Sequence, residues 1–451
     1  MNAQQVRAQL RHPIVDGDGH FVEVPPLFDD ELATYIEEMG GTDLRERFLA
    51  RRQAGERPES DGWRAMRNWW GQPTGNAKDR ATAHLPALMY ERLDELGIDF
   101  AVVFPSLALR LLEVEDPELC AVAARAANTW FARVFAPYRD RLAAGSLIPM
   151  NTPQVAVDEL RYSVQTLGLK VPVFAGYTFR PTDDGRPTGG PWRVDTYGLD
   201  SPYDYDPFWQ ACVDLGVSPS THSSHQHTRI SRSASNYTYN HIGGFATAHE
   251  ATCKSLFLGG VTRRFPDLKV GLLEGGVGFG CLLYADLIGH WGKRGARGLV
   301  HLDPANLDVD TITGYVDRFD PDHVLGDPDR IRAYFDDQKQ MAGHGDDYAA
   351  CGVEKPEDFV TLFADRFYFG CEADDRSLAW AFNGSPLRPF FGSDIGHWDV
   401  TDMTEPVVEA YELVEDGVIT EDQFERFMCR NAVDLYGPGL FAGTVVEDAV
   451  C

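Results

Sequence analysis

The 451-residue chain has no apolar run near the ~20 residues that cross a bilayer, and its opening MNAQQVRAQLRHP lacks the apolar centre of a signal peptide. A soluble, cytoplasmic protein is expected. Positive charge is scarce: 41 Lys and Arg face 69 Asp and Glu, for a formal charge of -28. That balance argues against nucleic acid or an anionic membrane as partner, since both are bound through basic surfaces. A small-molecule substrate remains. Cysteine is sparse and unpaired in pattern: Cys120, Cys212, Cys253, Cys281, Cys351, Cys371, Cys429 and Cys451 include no CxxC. Neither a zinc knuckle nor a disulfide framework fits, and buried reduced thiols are expected. No tract is low in complexity.

What is present is a repeat of short apolar runs and helical stretches. Eight runs read as strands: 13–20, 98–106, 141–150, 169–176, 215–224, 268–276, 366–374 and 388–396. Between them 86–97, 116–138, 152–168 and 249–267 carry apolar residues three and four apart, as amphipathic helices do. Eight strands interleaved with helices predict an α/β fold, a single (β/α)8 TIM barrel with long active-site loops. One domain over 1–451 is expected, with its core at about 13–437 and long insertions at 22–85, 177–214 and 287–365. Insertions of this length are lids or interface elements more often than simple connections. The stretch 419–437 reads as a closing helix with a capping box from Thr420 to Phe424.

Several runs end in polar residues, and in a parallel barrel all such ends surround one mouth. The first contains DGDGH, in which strand alternation points Asp16, Asp18 and His20 to one side, and the intervening glycines let a loop or substrate approach the backbone. His222 ends the fifth run, Glu274 the sixth, Glu372 the seventh and Asp394 the eighth. Asp18, His20, His222 and Asp394 together offer carboxylates and imidazoles suited to Zn, Mn or Fe. Asp16 lies about 7 Å deeper than Asp18 at ~3.3 Å per residue, which places it in a supporting role.

The segments DGDGHFVE, TRRFPDLKVGLLEGGVGF, FFGSDIGHWD and NAVDLYG resemble the amidohydrolase-related (amidohydrolase 2) family. That family includes aminocarboxymuconate-semialdehyde and resorcylate decarboxylases, and the likeness runs from about residue 13 to 437. The resemblance implies a barrel with one divalent metal ion, Zn first and Mn or Fe as alternatives, on the same four ligands. It also implies a homo-oligomer. Two departures matter. The family's decarboxylases carry an acid-base His on the sixth strand, where this chain has Glu274. Lys170 starts its strand, so it is misplaced to bridge a second metal as the carboxylated Lys of dinuclear relatives does.

The expected function is metal-dependent hydrolysis of a small carbonyl or carboxylate compound by a metal-activated water, with Asp394 and Glu274 as the catalytic groups. Glu274 is alternatively a residue that holds His222 or a loop amide. Non-oxidative decarboxylation of an aromatic or unsaturated acid is the rival reaction, and a non-catalytic scaffold barrel is a third reading. Asp16, Glu372, His249 and His397 are assigned to substrate binding or support of the ligands. His249 reads as the opening of a helix and is either a capping or core residue or one that reaches the site. His225, His227, His241, Arg229, Arg232, Tyr237 and Tyr239 fall in the loop after the fifth run, where solvated surface and substrate contact are both open. Trp398 is expected beside His397 at the mouth.

Overall fold

The computed structural model describes residues 1–55, 74–181, 192–222, 233, 236–397 and 400–449. Ten strands occur among them: β1 Val15–Phe21, β2 Phe100–Pro105, β3 Leu142–Leu147, β4 Val171–Phe174, β5 Thr178–Pro181, β6 Trp192–Asp195, β7 Ser220–Thr221, β8 Val270–Leu272, β9 Phe367–Cys371 and β10 Arg388–Phe391. Eight are parallel in the order β1-β2-β3-β4-β7-β8-β9-β10. Beyond the last ladder, His20 N donates to Ile395 O (2.9 Å) and Asp394 N to Asp18 O (2.9 Å), so the two ends of the sheet meet and the barrel is nearly closed. The closing bonds fall on the residues that carry the chemistry.

Each predicted run contains a strand, but shorter than the run. The fifth yields only Ser220–Thr221 and the sixth only Val270–Leu272, because the chain leaves the ladder to turn into the mouth. The insertion at 177–214 holds an antiparallel pair, β5 with β6, which periodicity did not show. The segment 22–85 is not a loop throughout: it forms the helices Pro25–Gly40, Thr42–Gly55 and Ala77–His84. The segment 287–365 likewise carries the helices Val309–Phe319 and Pro328–Lys339. The aromatic stretch 63–71 lies outside the described residues.

Helix starts follow local chemistry. Asp116 accepts Leu119 N before Pro117–Phe135, and Thr152 accepts Val155 N before Pro153–Arg161, each satisfying an otherwise orphaned amide. The capping box at Thr420 closes on Gln423 rather than Phe424, since only Gln can bond back to the Thr420 amide. The helix Gly244–Leu258 begins five residues before His249, so His249 lies within it instead of opening it.

The core is rich in aromatic side chains, with Phe174, Phe208 and Trp209 fully buried in edge-on contact. Burying such a side chain is worth about 1.5–3 kcal/mol. Asn128, buried among these layers, accepts Leu147 N (2.7 Å) and donates to Leu147 O (2.9 Å) and Glu159 (2.8 Å), so its polarity is satisfied while it holds β3. The NAVDLYG motif acquires a physical reason at the bottom of the barrel. Asn431 donates to Pro389 O (2.6 Å), Asp434 pairs with Lys269 (2.6 Å) and Arg388 (3.0 Å), and Tyr436 donates to Gly17 O (2.8 Å). One helix thereby ties β10, β8 and β1. The seven described cysteines are free thiols, and no helix among the described residues is long and apolar enough to cross a membrane.

Candidate metal centre

Strand β1 is not a plain alternation. Its register against β2 slips between Asp16 and Gly19, where Gly17 and Asp18 oppose the single residue Val102. In the bulge the Asp16 carboxylate accepts Asp18 N (3.1 Å), and from the segment after β10 it accepts Ser393 N (2.9 Å) and Ser393 Oγ (2.5 Å). Asp16 therefore braces the segment that presents Asp18. The glycines beside it leave room for protein, not for substrate. A Cβ on Gly17 would lie 2.5 Å from the Phe390 ring, and one on Gly19 would lie 2.8 Å from Asp16 Oδ2.

Asp18, His20, His222, Glu274 and Asp394 converge at the mouth, all with buried side chains. His20 Nε2 lies 3.5 Å from Asp18 Oδ1, 3.3 Å from Asp394 Oδ1 and 3.4 Å from His222 Nε2. His222 Nε2 lies 3.2 Å from Glu274 Oε2. Their donor atoms form two groups that share His20: Asp18, His20 and His222 in one, and His20, Glu274, Asp394 and His397 in the other, each within 4.8 Å. His397 thus sits deeper than the rim position expected of it, stacked on His20 with ring centroids 3.7 Å apart. His241, one of the residues after the fifth run for which surface and substrate contact were both open, brings Nε2 to 3.4 Å from Glu274 Oε1. Ser106, which the sequence did not single out, bonds His397 Nε2 at 2.9 Å.

The remaining residues divide. His249 is buried with Nε2 2.6 Å from Leu273 O, supporting the peptide just before Glu274, with no part in the open mouth. Glu372 is exposed and lines the cavities beside Glu274 and Asp394. Tyr239 is exposed on the short helix Tyr237–His241, and Lys170 bonds Gly439 O at 2.5 Å. His225, His227, Arg229, Arg232 and Trp398 lie outside the described residues, as does the side chain of Tyr237.

Two carboxylates of the cluster stand on strained backbone: Glu274 has φ 58° and Asp394 φ 49°. For residues other than glycine this region costs on the order of 1–3 kcal/mol, and such strain gathers at functional sites. Burial lifts Asp16 to about 6, against the Ser393 bonds, and raises Asp18 well above the carboxylate range with help from Glu274, Asp16 and Glu372. Burial pushes His20 well below the usual imidazole value, with His397 and His222 adding to it, and lowers His397 to about 3. At Glu274 burial acts upward, but the His222 and His241 imidazoles outweigh it and hold the carboxyl near 2.

These donors fit a divalent cation. Two ligands about 2.1 Å from one ion lie roughly 3.4 Å apart at a tetrahedral angle, the spacing found around His20 Nε2. Buried Asp18 Oδ1, which faces His20 Nε2, has no hydrogen-bond partner among the described residues. Burying so many lone pairs and carboxylates together is costly unless a cation joins them.

A family model described as amidohydrolase matches residues 15–325, more than half of the chain. The chain belongs to the amidohydrolase family. With the cluster above, that membership makes it a metal-dependent enzyme, a hydrolase or a carboxy-lyase, and displaces the scaffold reading. Among solved structures, an amidohydrolase from Mycobacterium avium subsp. paratuberculosis K-10 aligns over 95% of this chain and 100% of its own at 17% identity and TM-score 0.59. A dihydroxybenzoic acid decarboxylase from Polaromonas sp. JS666, with bound manganese and 2-nitroresorcinol, aligns over 94% and 96% at 17% identity and TM-score 0.52. A 5-carboxyvanillate decarboxylase from Sphingomonas paucimobilis aligns over 94% and 98% at 16% identity and TM-score 0.50. At these identities the shared property is the fold.

Proposed function

We propose that this amidohydrolase-family enzyme hydrolyses a small neutral carbonyl compound, with one divalent cation held by Asp18, His20, His222 and Asp394. The observation that carries the choice of reaction is the charge of the mouth. A cavity of about 350 Å³ opens beside Glu274, lined by His241, Ile242, Phe245 and Glu372, and a neighbouring one of about 180 Å³ is lined by Glu372, Asp374, Asp394, Asp402, Glu405 and Glu409 among others. Among the described lining residues there is no Lys or Arg. An anionic substrate would meet several carboxylates with no fixed cationic side chain to pair with, whereas a neutral amide or lactone meets no such barrier.

When bound, the cation supplies Lewis acidity, polarising a substrate carbonyl and lowering the pKa of water in its field. The side chains divide the proton work. Asp394 accepts the proton of the attacking water. Glu274, an ionised carboxylate held between His222 and His241, relays that proton to the leaving atom, taking it up before passing it on. Asp16 and His249 hold the peptides that present Asp18 and Glu274. Zinc is the ion proposed; two carboxylates and two imidazoles also suit manganese or iron. A homo-oligomer is proposed as well, supported by the strongly exposed Phe319, Val324 and Leu325 (72%, 85% and 77%).

Non-oxidative decarboxylation is the second reading, supported by the decarboxylases of like fold. It needs a cationic group for the substrate carboxylate, for which Arg229 and Arg232 are the sequence candidates. A screen of lactones, cyclic amides and aromatic acids, with CO2 detection for the acids, separates the two. Hydrolysis abolished in Asp394→Asn supports the proposal; CO2 release from an acid, abolished in the same variant, overturns it.

A further inference from the structure

We propose that Ser106, through its hydrogen bond to His397, holds that imidazole against Asp394, and that this chain of contacts fixes the orientation of the Asp394 carboxylate at the cation site. The proposal rests on the reading of Asp394 as one of the groups that hold the cation. Ser106 Oγ is hydrogen-bonded to His397 Nε2 at 2.9 Å, and His397 Nδ1 lies in close contact with Asp394 Oδ1 at 2.6 Å, without the alignment of a hydrogen bond. The nitrogen that faces a carboxylate is the one that carries the proton, so Nε2 is the acceptor and the Ser106 hydroxyl donates to it. Ser106 thereby sets the tautomer, and the tautomer sets which atom His397 offers to Asp394. The same imidazole lies flat on His20, at 3.7 Å and 27° between planes, so it restrains two groups of the cluster at once.

The backbone is shaped to bring this about. After β10 the chain reverses through Asp394 (φ 49°) and Gly396 (φ 103°), and His397 N returns to Asp394 O at 3.2 Å. A Cβ on Gly396 would lie 2.8 Å from the His20 carbonyl oxygen, so glycine is required where the turn folds His397 back over the cluster. The other end of the chain is anchored by β1. Ser106 N donates to Phe21 O (3.0 Å), and the buried Glu23 carboxylate accepts Leu107 N (2.8 Å) and Ala108 N (3.0 Å). The strand that carries Asp18 and His20 therefore also fixes the peptide that carries Ser106. Ser106, His397 and Glu23 are positioning residues: they act on the cluster through Asp394 and the backbone.

The test is Co2+ binding to the metal-stripped full chain, followed by titration and by the visible d–d bands of the bound ion. Ser106→Ala is expected to weaken binding about tenfold and His397→Phe about 10–100-fold, as loss of a group orienting a ligand does. The double variant should be no weaker than His397→Phe alone, because both changes break one chain. Ser106→Thr, which keeps the hydroxyl, should restore affinity and the band shape; a role confined to packing would not depend on the hydroxyl. Should His397→Phe fail to fold, the Ala and Thr pair at partly exposed Ser106 decides. Unchanged Co2+ affinity in Asp394→Asn would overturn the reading of the site itself. Loss of binding in Asp394→Asn with wild-type affinity in Ser106→Ala and His397→Phe would overturn this proposal alone. Loss in His397→Phe as complete as in Asp394→Asn, with Ser106→Ala unaffected, would make His397 a ligand and overturn it equally.

Discussion

His20 and His222 point their Nε2 atoms at each other across 3.4 Å, inside a mouth where both side chains are buried. Two neutral imidazoles at that distance are satisfied only in part, one donating and one accepting, whereas a cation between them uses both lone pairs. The expected consequence is a stability that depends on metal. An ion that binds only the folded chain stabilises it by about 2.7 kcal/mol at a hundredfold excess over its Kd. Dialysis against a chelator should therefore lower the thermal midpoint by several degrees, and Zn2+ or Mn2+ should restore it. His222→Ala should abolish the restoration. A midpoint indifferent to chelator and metal in the wild-type protein would remove the cluster as a metal centre.

Glu274 stands between His222 and His241 on strained backbone, and the proposal gives it proton transfer instead of a place on the cation. Glu274→Gln keeps the shape and removes the carboxylate that takes up and passes on the proton. Metal content should stay near that of the wild type, while turnover of any substrate found by the screen falls about 10²–10⁴-fold, the range for loss of a general acid or base. Loss of the metal in Glu274→Gln, measured by elemental analysis, would instead make Glu274 a ligand.

Much of this was legible before the structure, for a physical reason. A barrel strand must be apolar along its length and can afford polarity only at the mouth, so Asp18, His20, His222, Glu274 and Asp394 stood out as polar ends of apolar runs. The structure brings those five together. What was illegible depends on backbone that leaves the ladder. The bulge at Asp16 to Gly19 changes alternation without a sequence mark, and the glycines there answer to Phe390, which is distant in sequence. His241 reaches Glu274 from a loop whose path no periodicity encodes. His397 returns over His20 only because two residues of one turn have positive φ. Glu23 carries no mark in the sequence, yet it is buried against the backbone amides of Leu107 and Ala108 just after β2.

Gly17 offers a direct check of the bulge. A Cβ there would sit 2.5 and 2.7 Å from two atoms of the Phe390 ring, which is fully buried and has nowhere to swing, and 3.2 Å from the Phe391 carbonyl oxygen. Gly17→Ala is expected to cost about 1–3 kcal/mol, the range for overpacking a tight core, and to weaken metal binding because the bulge presents Asp18. Urea unfolding of the two proteins measures the first effect. A loss under about 0.5 kcal/mol, typical of an unconstrained surface change, would show that the strand relaxes and that glycine is not required there.

Glu23 gives stability a pH dependence whose sign can be worked out. Burial raises its carboxyl from 4.5 to about 7, against the backbone amides of Leu107 and Ala108, which favour the ionised form. An acid whose folded pKa lies above its unfolded value keeps its proton in the fold after the unfolded chain has released it. Between those two values the unfolded state binds fewer protons, so stability falls as pH rises, by about 1.4 kcal/mol per unit. The contribution is fully present below pH 4.5 and lost as pH passes about 7. Glu23→Gln resembles the protonated carboxyl and does not titrate. Relative to that variant, the wild-type protein should lose about 3 kcal/mol between pH 4.5 and 8. Urea unfolding of both metal-free proteins at pH 4.5, 6 and 8 isolates this one group, because every other titration is common to the pair. A difference that stays constant, or that moves in favour of the wild type as pH rises, would show that the amide bonds outweigh burial and that Glu23 is ionised throughout.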